Sequence, residues 1–481
     1  MRINDLLSLY ALVAASFIVS KAEVRLPALI SDNMVLQQNR DVKLWGWADP
    51  GETVVIRSSW SNAPVSVMAD DKGEWKVCIK TPAASDREET LVFKDGLGKE
   101  LKVNNILIGE VWHSAGQSNM HFPVGNHQPE IPWQTGMEKA DSVVAAADYP
   151  RMRLFNVKGC IATDGPKKDV VGKWVKVTPE SVYDFSAVAY IFGNRIHRET
   201  GYPVGLINTS IGATLIESWT DPEIMEGNPI YDYAERLFGA DHVAAFRRHD
   251  IPGALWNGMI APIAGYTIRG NIWYQGCGNA GNYEDYPQMF ANLVNSWRKD
   301  WEQPEMPFYY VQIAPFKDQP AGIREAQLKI LNSGLKNLGM AVTADCGDSI
   351  DIHPRNKILS GERLALWALN KDYGSNVEFS GPLYKSVSFS DGKAVISFDY
   401  ADKGLKTNDD KPLAGFKIAG SDGIFHNAKA EISGNNVIVY SPEVSDPVAV
   451  RYGFENFFRI NLCGENGLPA SPFRTDNFKL R

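Results

Sequence analysis

Cysteine is scarce in this sequence and follows no pattern: Cys78, Cys160, Cys277, Cys346 and Cys463 are scattered over 481 residues. None forms a CxxC pair, which argues against a structural zinc site, and the odd count leaves at least one thiol unpaired in a monomer. An excess of positive charge is lacking too. The 49 Lys and Arg stand against 57 Asp and Glu, a formal charge of -8 with interspersed signs. With no basic stripe to follow a phosphate backbone, nucleic acid is not an expected partner. His113, His121, His127, His197, His242, His249 and His426 show no HExxH or comparable ligand spacing, so no metal is expected. Internal repeats, low-complexity tracts and charge blocks are missing as well, which leaves no candidate for a disordered interaction arm.

Long apolar runs are confined to the start. Arg2 precedes a charge-free stretch from Leu6 to Val19, and Ser20-Lys21-Ala22 offers small residues at positions -3 and -1 of a cleavage site. The stretch is shorter than the ~20 residues of a spanning helix. Residues 1–22 therefore read as a signal peptide and the protein as exported, to the periplasm or the extracellular space.

At about 100 to 200 residues per domain the chain is long enough for two to four. Residues 23–105 carry short alternating strand signals with Gly and Asp turns, among them Asp71-Lys72-Gly73, and read as a β-sandwich-like module. From residue 106 to 374 apolar strands alternate with helical periods. The strand runs are Ile106 to Trp112, Val204 to Asn208, Asn271 to Tyr274, Phe308 to Ile313 and Gly339 to Thr343. One helix presents Phe290, Leu293, Val294, Trp297 and Trp301 on a single stripe, and another runs from about Ser186 to Arg198 before Gly201. This grammar predicts an α/β domain with a parallel sheet covered on both faces, with an insertion at about 217–262. Residues 375–481 return to strand signals, with Asp391-Gly392 as a hairpin turn, and form a second β module.

In open parallel sheets ligands bind beyond the carboxyl ends of the strands. Those ends carry Gly116-Gln117-Ser118-Asn119, Gly212-Ala213-Thr214, Gly276-Cys277-Gly278-Asn279 and Asp351-Ile352-His353. A serine hydroxyl needs an imidazole to take its proton and a carboxylate to hold that imidazole in the useful tautomer. Ser118, His353 and Asp351 suit these roles, with Asp348 as a second choice of carboxylate. The backbone N–H groups of Ser118 and Gly212 and the side chain of Asn279 are the candidate oxyanion donors. Gln117, Trp219, Tyr274 and Gln275 are candidates for substrate contact, the aromatics as a wall for a sugar ring. His113 and His121, near the nucleophile loop, are possible pocket residues. The GxSxG elbow of α/β-hydrolases does not fit, because Met120 holds the place of its second glycine.

The stretch ILIGEVWHSAGQSNM, residues 106 to 120, resembles the nucleophile block of the sialate O-acetylesterase family. GLINTSIGAT, WYQGCGNAGNYEDYP and DIHPRNK are similar to its later blocks, in order. LPALISDNMVLQQ near the front and GLPASPFRTD near the end extend the resemblance over essentially the whole mature chain. It implies a three-layer α/β/α SGNH hydrolase domain and a cofactor-free, acetyl-serine mechanism on an acetylated carbohydrate. Ser118 would be the nucleophile, His353 the base and Asp351 its orienting partner, with Gly212 and Asn279 at the oxyanion. Two departures stand out. Ala213 replaces a glycine of the usual GGT, which matters if that turn needs positive φ. Cys277-Gly278 replaces the usual Glu-Ser, where a small apolar filler is the expected role for the thiol.

O-acetylated sialic acid is the expected substrate, with Arg153, Arg195 or Arg355 as a possible partner for its carboxylate. Acetylated xylan is the alternative. A glycosidase would need two carboxyl groups about 5 to 9.5 Å apart, for which Glu110, Glu217 and Asp285 are available without a distinguishing spacing. A carbohydrate-binding protein on a decayed hydrolase scaffold is the non-enzymatic alternative, suggested by the altered third block.

Overall fold

The computed structural model describes residues 23–125, 136–231 and 248–480. The expected signal peptide, His127 and His242 lie outside these residues, as does part of the expected insertion. No helix among the described residues is long and apolar enough to cross a membrane.

The central sheet is built from β1 (Glu100–Gly116), β2 (Tyr149–Asn156), β3 (Trp174–Val177), β4 (Val204–Ser210), β5 (Gly270–Tyr274), β6 (Phe308–Gln312) and β7 (Leu338–Val342). Their order is β7-β6-β5-β1-β4-β2-β3. All neighbours run parallel except β3, which pairs antiparallel with β2 at the edge. Strands β4, β5 and β6 are buried along their entire length. That is why they read as unbroken apolar runs rather than alternating ones: helices cover both faces. Burying one Ile, Leu or Val in such a strand contributes about 1.5–3 kcal/mol.

The helices that matter for the site are α1 (Ser118–His121), α2 (Ala187–Thr200), α3 (Tyr286–Asp300), α4 (Ala321–Leu331) and α5 (Lys357–Lys371). Helix α2 starts where the Ser186 side chain accepts from Ala189 N and ends at Gly201 with φ 71°. Serine at the cap and glycine in the left-handed position are the two ends expected from sequence. Helices α4 and α5, and strands β2 and β3, were not placed by the sequence pattern.

The boundary expected at 105/106 is not a break in the structure. Strand β1 is continuous from Glu100 to Gly116. Its first half pairs antiparallel with Ser85–Lys94, and its second half joins the central sheet, with Asn105 at φ 54° between them. The N-terminal strands and the central sheet thus share one strand. After α5 the chain forms two four-stranded antiparallel sheets and a two-stranded one. The first opens with the hairpin Leu383–Ser390 and Lys393–Asp399, whose turn residues Asp391 and Gly392 both have positive φ, as a two-residue I′ turn demands. This region docks on the central layer through Arg474, which holds Glu325 of α4 at 2.8 and 3.1 Å. Gln312 at the end of β6 also donates to Ser471 Oγ at 2.9 Å.

Candidate active site

The sheet order puts β1 between β4 and β5, so the chain changes direction across β1, where open sheets form a crevice. Gly116 ends β1 with φ 140°, and a Cβ there would lie 2.3 Å from Tyr274 O. Only glycine lets the backbone turn off the strand this close to β5. Gln117 N then donates to Tyr274 O at 3.0 Å, and Ser118 opens α1 at the carboxyl edge.

His353 arrives from the loop between β7 and α5. Its Nε2 lies 2.9 Å from Ser118 Oγ, and its Nδ1 lies 3.2 Å from Asp351 Oδ1. The same carboxylate oxygen accepts from His353 N at 2.8 Å, so one short loop fixes both carboxylate and ring. With Nδ1–H donating to Asp351, Nε2 carries the lone pair facing the serine hydroxyl. Burial, aided by the Lys357 ammonium and opposed by Asp351, holds the imidazole below its ordinary pKa. The arrangement can take the serine proton and return it to a leaving group.

Gly212 follows β4 directly against Ser118: a Cβ on it would lie 3.5 Å from Ser118 Cβ. Neither its N–H nor that of Ser118 is engaged by another group among the described residues. Ala213 has φ 59°, so the turn does adopt the conformation that favours the glycine this chain lacks.

Asn279 is placed differently from expectation. Its Oδ1 accepts from Ile216 N at 2.9 Å and Gln275 Nε2 at 2.7 Å. Its Nδ2 donates to Glu217 Oε2 at 2.8 Å and Asn282 Oδ1 at 3.2 Å. An amide has two N–H donors, and both are committed inside the protein. Asn279 ties the second loop to the third instead of offering a donor to an oxyanion.

The substrate contacts expected of Gln117, Trp219, Tyr274 and Gln275 are corrected in the same way: all four are buried, at 4%, 0%, 1% and 0% exposure. Gln117 Oε1 accepts from Gly276 N at 3.0 Å, which holds the third loop to the turn that carries Ser118. Trp219 packs edge-on against Trp273 in the core, and Gln275 donates to Thr214 O at 3.0 Å. His113 is likewise interior, donating from Nδ1 to Asn271 and accepting from Thr209 at Nε2, with burial pushing its pKa down to about 4. His121 faces Ser210 O at 3.0 Å.

Neither of the first two carboxylates considered for glycosidase chemistry is suitably placed. Glu110 is fully buried in an ion pair with Arg269 at 2.7 Å. At about 3.3 Å per strand residue it also lies roughly 20 Å from the carboxyl edge of β1. Glu217 is fully buried against Asn279, and Asp285 stands at the position before α3 with no side-chain capping bond. Of the arginines considered for a substrate carboxylate, Arg153 is 1% exposed and bonded to the carbonyls of Pro150 and Met152. Arg195 pairs with Glu199 and Glu362, while Arg355 is exposed, two residues beyond His353. No group of three or more His, Cys, Asp and Glu among the described residues is placed to hold a metal.

At the altered third block, burial pushes the Cys277 thiol up to about 12, so it carries almost no thiolate near neutral pH. A Cβ on Gly278 would lie 2.7 Å from Thr214 O, so a serine there would force the backbone apart. Two residues that the sequence reading passed over also belong to the site. Asn119 follows Ser118 and Lys357 opens α5, and the two are hydrogen-bonded. Their 238-residue separation left no local signal.

A three-layer α/β/α domain presenting serine, imidazole and carboxylate in sequence at the edge of a parallel sheet defines a class, the carboxylic ester hydrolases. Residues 109–369 match the family model described as carbohydrate esterase, sialic acid-specific acetylesterase. A solved carbohydrate acetylesterase from Xanthomonas citri is 34% identical, with a TM-score of 0.84 over 95% of this chain and 100% of that one. The sialate O-acetylesterases of Mus musculus and Homo sapiens are 26% identical over 439 residues and 27% over 415, each covering 78% of this chain and 79% and 76% of the relative. The chain belongs to the sialic acid-specific acetylesterase family of carbohydrate esterases.

Proposed function

We propose that this protein is an exported esterase that removes O-acetyl groups from sialic acid through an acetyl-serine intermediate, with Ser118, His353 and Asp351 as its triad. The 2.9 Å approach of Ser118 Oγ to His353 Nε2 carries the reading. Ser118 attacks the acetyl carbonyl as its proton passes to His353 Nε2, and Asp351 steadies the resulting imidazolium from Nδ1. The tetrahedral oxyanion is held by the N–H groups of Ser118 and Gly212; such a donor is typically worth about 3 kcal/mol of barrier. His353 then protonates the departing sugar oxygen, and water releases acetate by the reverse sequence. Export rests on the charge-free stretch and cleavage site at residues 1–22. The choice of sialic acid is supported by the family and by the names of the curated relatives. Arg355, exposed beside the histidine loop, is the cation for the substrate carboxylate.

The test is acetate release by purified mature protein and its Ser118→Ala variant, from p-nitrophenyl acetate, O-acetylated sialic acid and acetylated xylan. Wild type should prefer the sialate ester, and the variant should lose about 10³-fold or more in kcat. A preference for xylan would replace the substrate while keeping the mechanism. Binding of a glycan without release of acetate would make the protein a lectin-like member of its family.

A further inference from the structure

Lys357 is fully buried at the first position of α5. A cation at a helix N-terminus opposes the helix dipole, and burying an ammonium is unfavourable unless it is paired. Helix stability therefore does not account for its place. Its surroundings do. Nζ donates to Asn119 Oδ1 and lies 4.6 Å from the ring centroid of Phe122 and 5.6 Å from that of Tyr274. Asn119 in turn donates from Nδ2 to Ile352 O at 3.1 Å. Asn119 is the residue after Ser118, and Ile352 the residue before His353. Lys357, Asn119 and Ile352 thus form a clasp between the two loops whose separation sets the serine-to-imidazole distance.

We infer that Lys357 is a positioning residue: through Asn119 it holds the nucleophile turn against the histidine loop. The ionisable groups facing Lys357 are Asp351 and His353 on the histidine loop, Cys277 on the third loop and Cys346 after β7, with the Tyr274 ring beneath Nζ. Burial brings the ammonium down to about 7. Below that pH Lys357 is charged, and this is the range in which an imidazole would otherwise gain its proton. The two cations repel, so His353 stays a base to lower pH than it would alone.

The inference rests on the roles proposed for Ser118 and His353, so Ser118→Ala is assayed alongside. The experiment is the pH profile of kcat/KM for p-nitrophenyl acetate with wild type, Lys357→Met, Lys357→Gln and Asn119→Ala. Lys357→Met keeps the unbranched stem and removes the charge. Its acid limb should move up by about half a unit or more, and its kcat should fall about tenfold or more as the loops loosen. Asn119→Ala should lower kcat similarly with the limb near that of wild type, because the cation remains. Should Lys357→Met fail to fold, Lys357→Gln, which keeps a donor and lacks the charge, reports the limb. An unmoved limb in the charge-removing variants, or an unchanged kcat in Asn119→Ala, overturns the inference while a dead Ser118→Ala leaves the catalytic assignment standing. Activity persisting in Ser118→Ala would overturn the assignment itself.

Discussion

Asn279 separates two accounts of the third loop, and Asn279→Ala decides between them. As an oxyanion donor it would cost kcat about 10²–10³-fold on removal and leave the fold alone. The structure predicts the opposite division. Removing the side chain leaves Ile216 N–H without its acceptor, one Gln275 amide hydrogen unpaired and the Glu217 carboxylate without its 2.8 Å donor, all within a buried cluster. An unmade buried hydrogen bond costs about 1–3 kcal/mol. Three of them, with water relieving part of the loss, amount to about 3–5 kcal/mol. For a central unit of this size that corresponds to roughly a 10 °C fall in its melting transition. Calorimetry and acetate release on the same preparation give both quantities. A melting temperature within a degree or two of wild type, together with a hundredfold loss of kcat, would refute the latch and return Asn279 to the oxyanion. The expected result is a large loss of stability, with a smaller loss of kcat in the fraction still folded.

Two further outcomes follow from the same loops. Burial lifts Glu217 to about 7, with its hydrogen bonds to Asn279 and Asn282 acting against the shift. A carboxyl whose folded pKa is raised favours the native state at low pH and loses that contribution as pH climbs from its unfolded value toward about 7. Glu217→Gln should therefore gain stability relative to wild type between pH 5 and 8, by about 1–3 kcal/mol at the upper end; parallel urea curves across that range would disprove the burial argument. Ala213 sits at φ 59°, where an L side chain costs about 1–2 kcal/mol and glycine does not. Ala213→Gly should raise the unfolding free energy from urea curves by up to about 1 kcal/mol after glycine's own entropy cost, and a lower midpoint would show that the methyl group packs favourably there.

What could be read from sequence, and what could not, divides along the range of the interaction. Strands β1 and β4 to β7 are legible because burial on both faces makes them unbroken apolar runs. Strand β2 is hidden because Arg151 and Arg153 interrupt its run, and the buried Arg153 bonds to carbonyls of its own strand and to Asn105 Oδ1. The change from short strands to alternating strands and helices at 105/106 falls within one strand, which runs from Glu100 to Gly116. The same division holds at the site. Ser118 and the Asp351-Ile352-His353 loop are short-range features: the carboxylate reaches its histidine two residues away. Gln117, Trp219, Tyr274 and Gln275 stand at strand ends, and position along the chain says that a residue is near the edge without saying which way its side chain points. In this protein the strand-end polar groups point inward, to Gly276, Thr214 and Asn279. That direction follows from chemistry. Loops meeting at the crevice leave backbone N–H and C=O groups with no ladder to join, and buried groups of this kind must find partners. Polar side chains that look from sequence like substrate contacts are consumed in holding the loops, while Arg355 and the apolar Ile350 stand exposed beside the histidine.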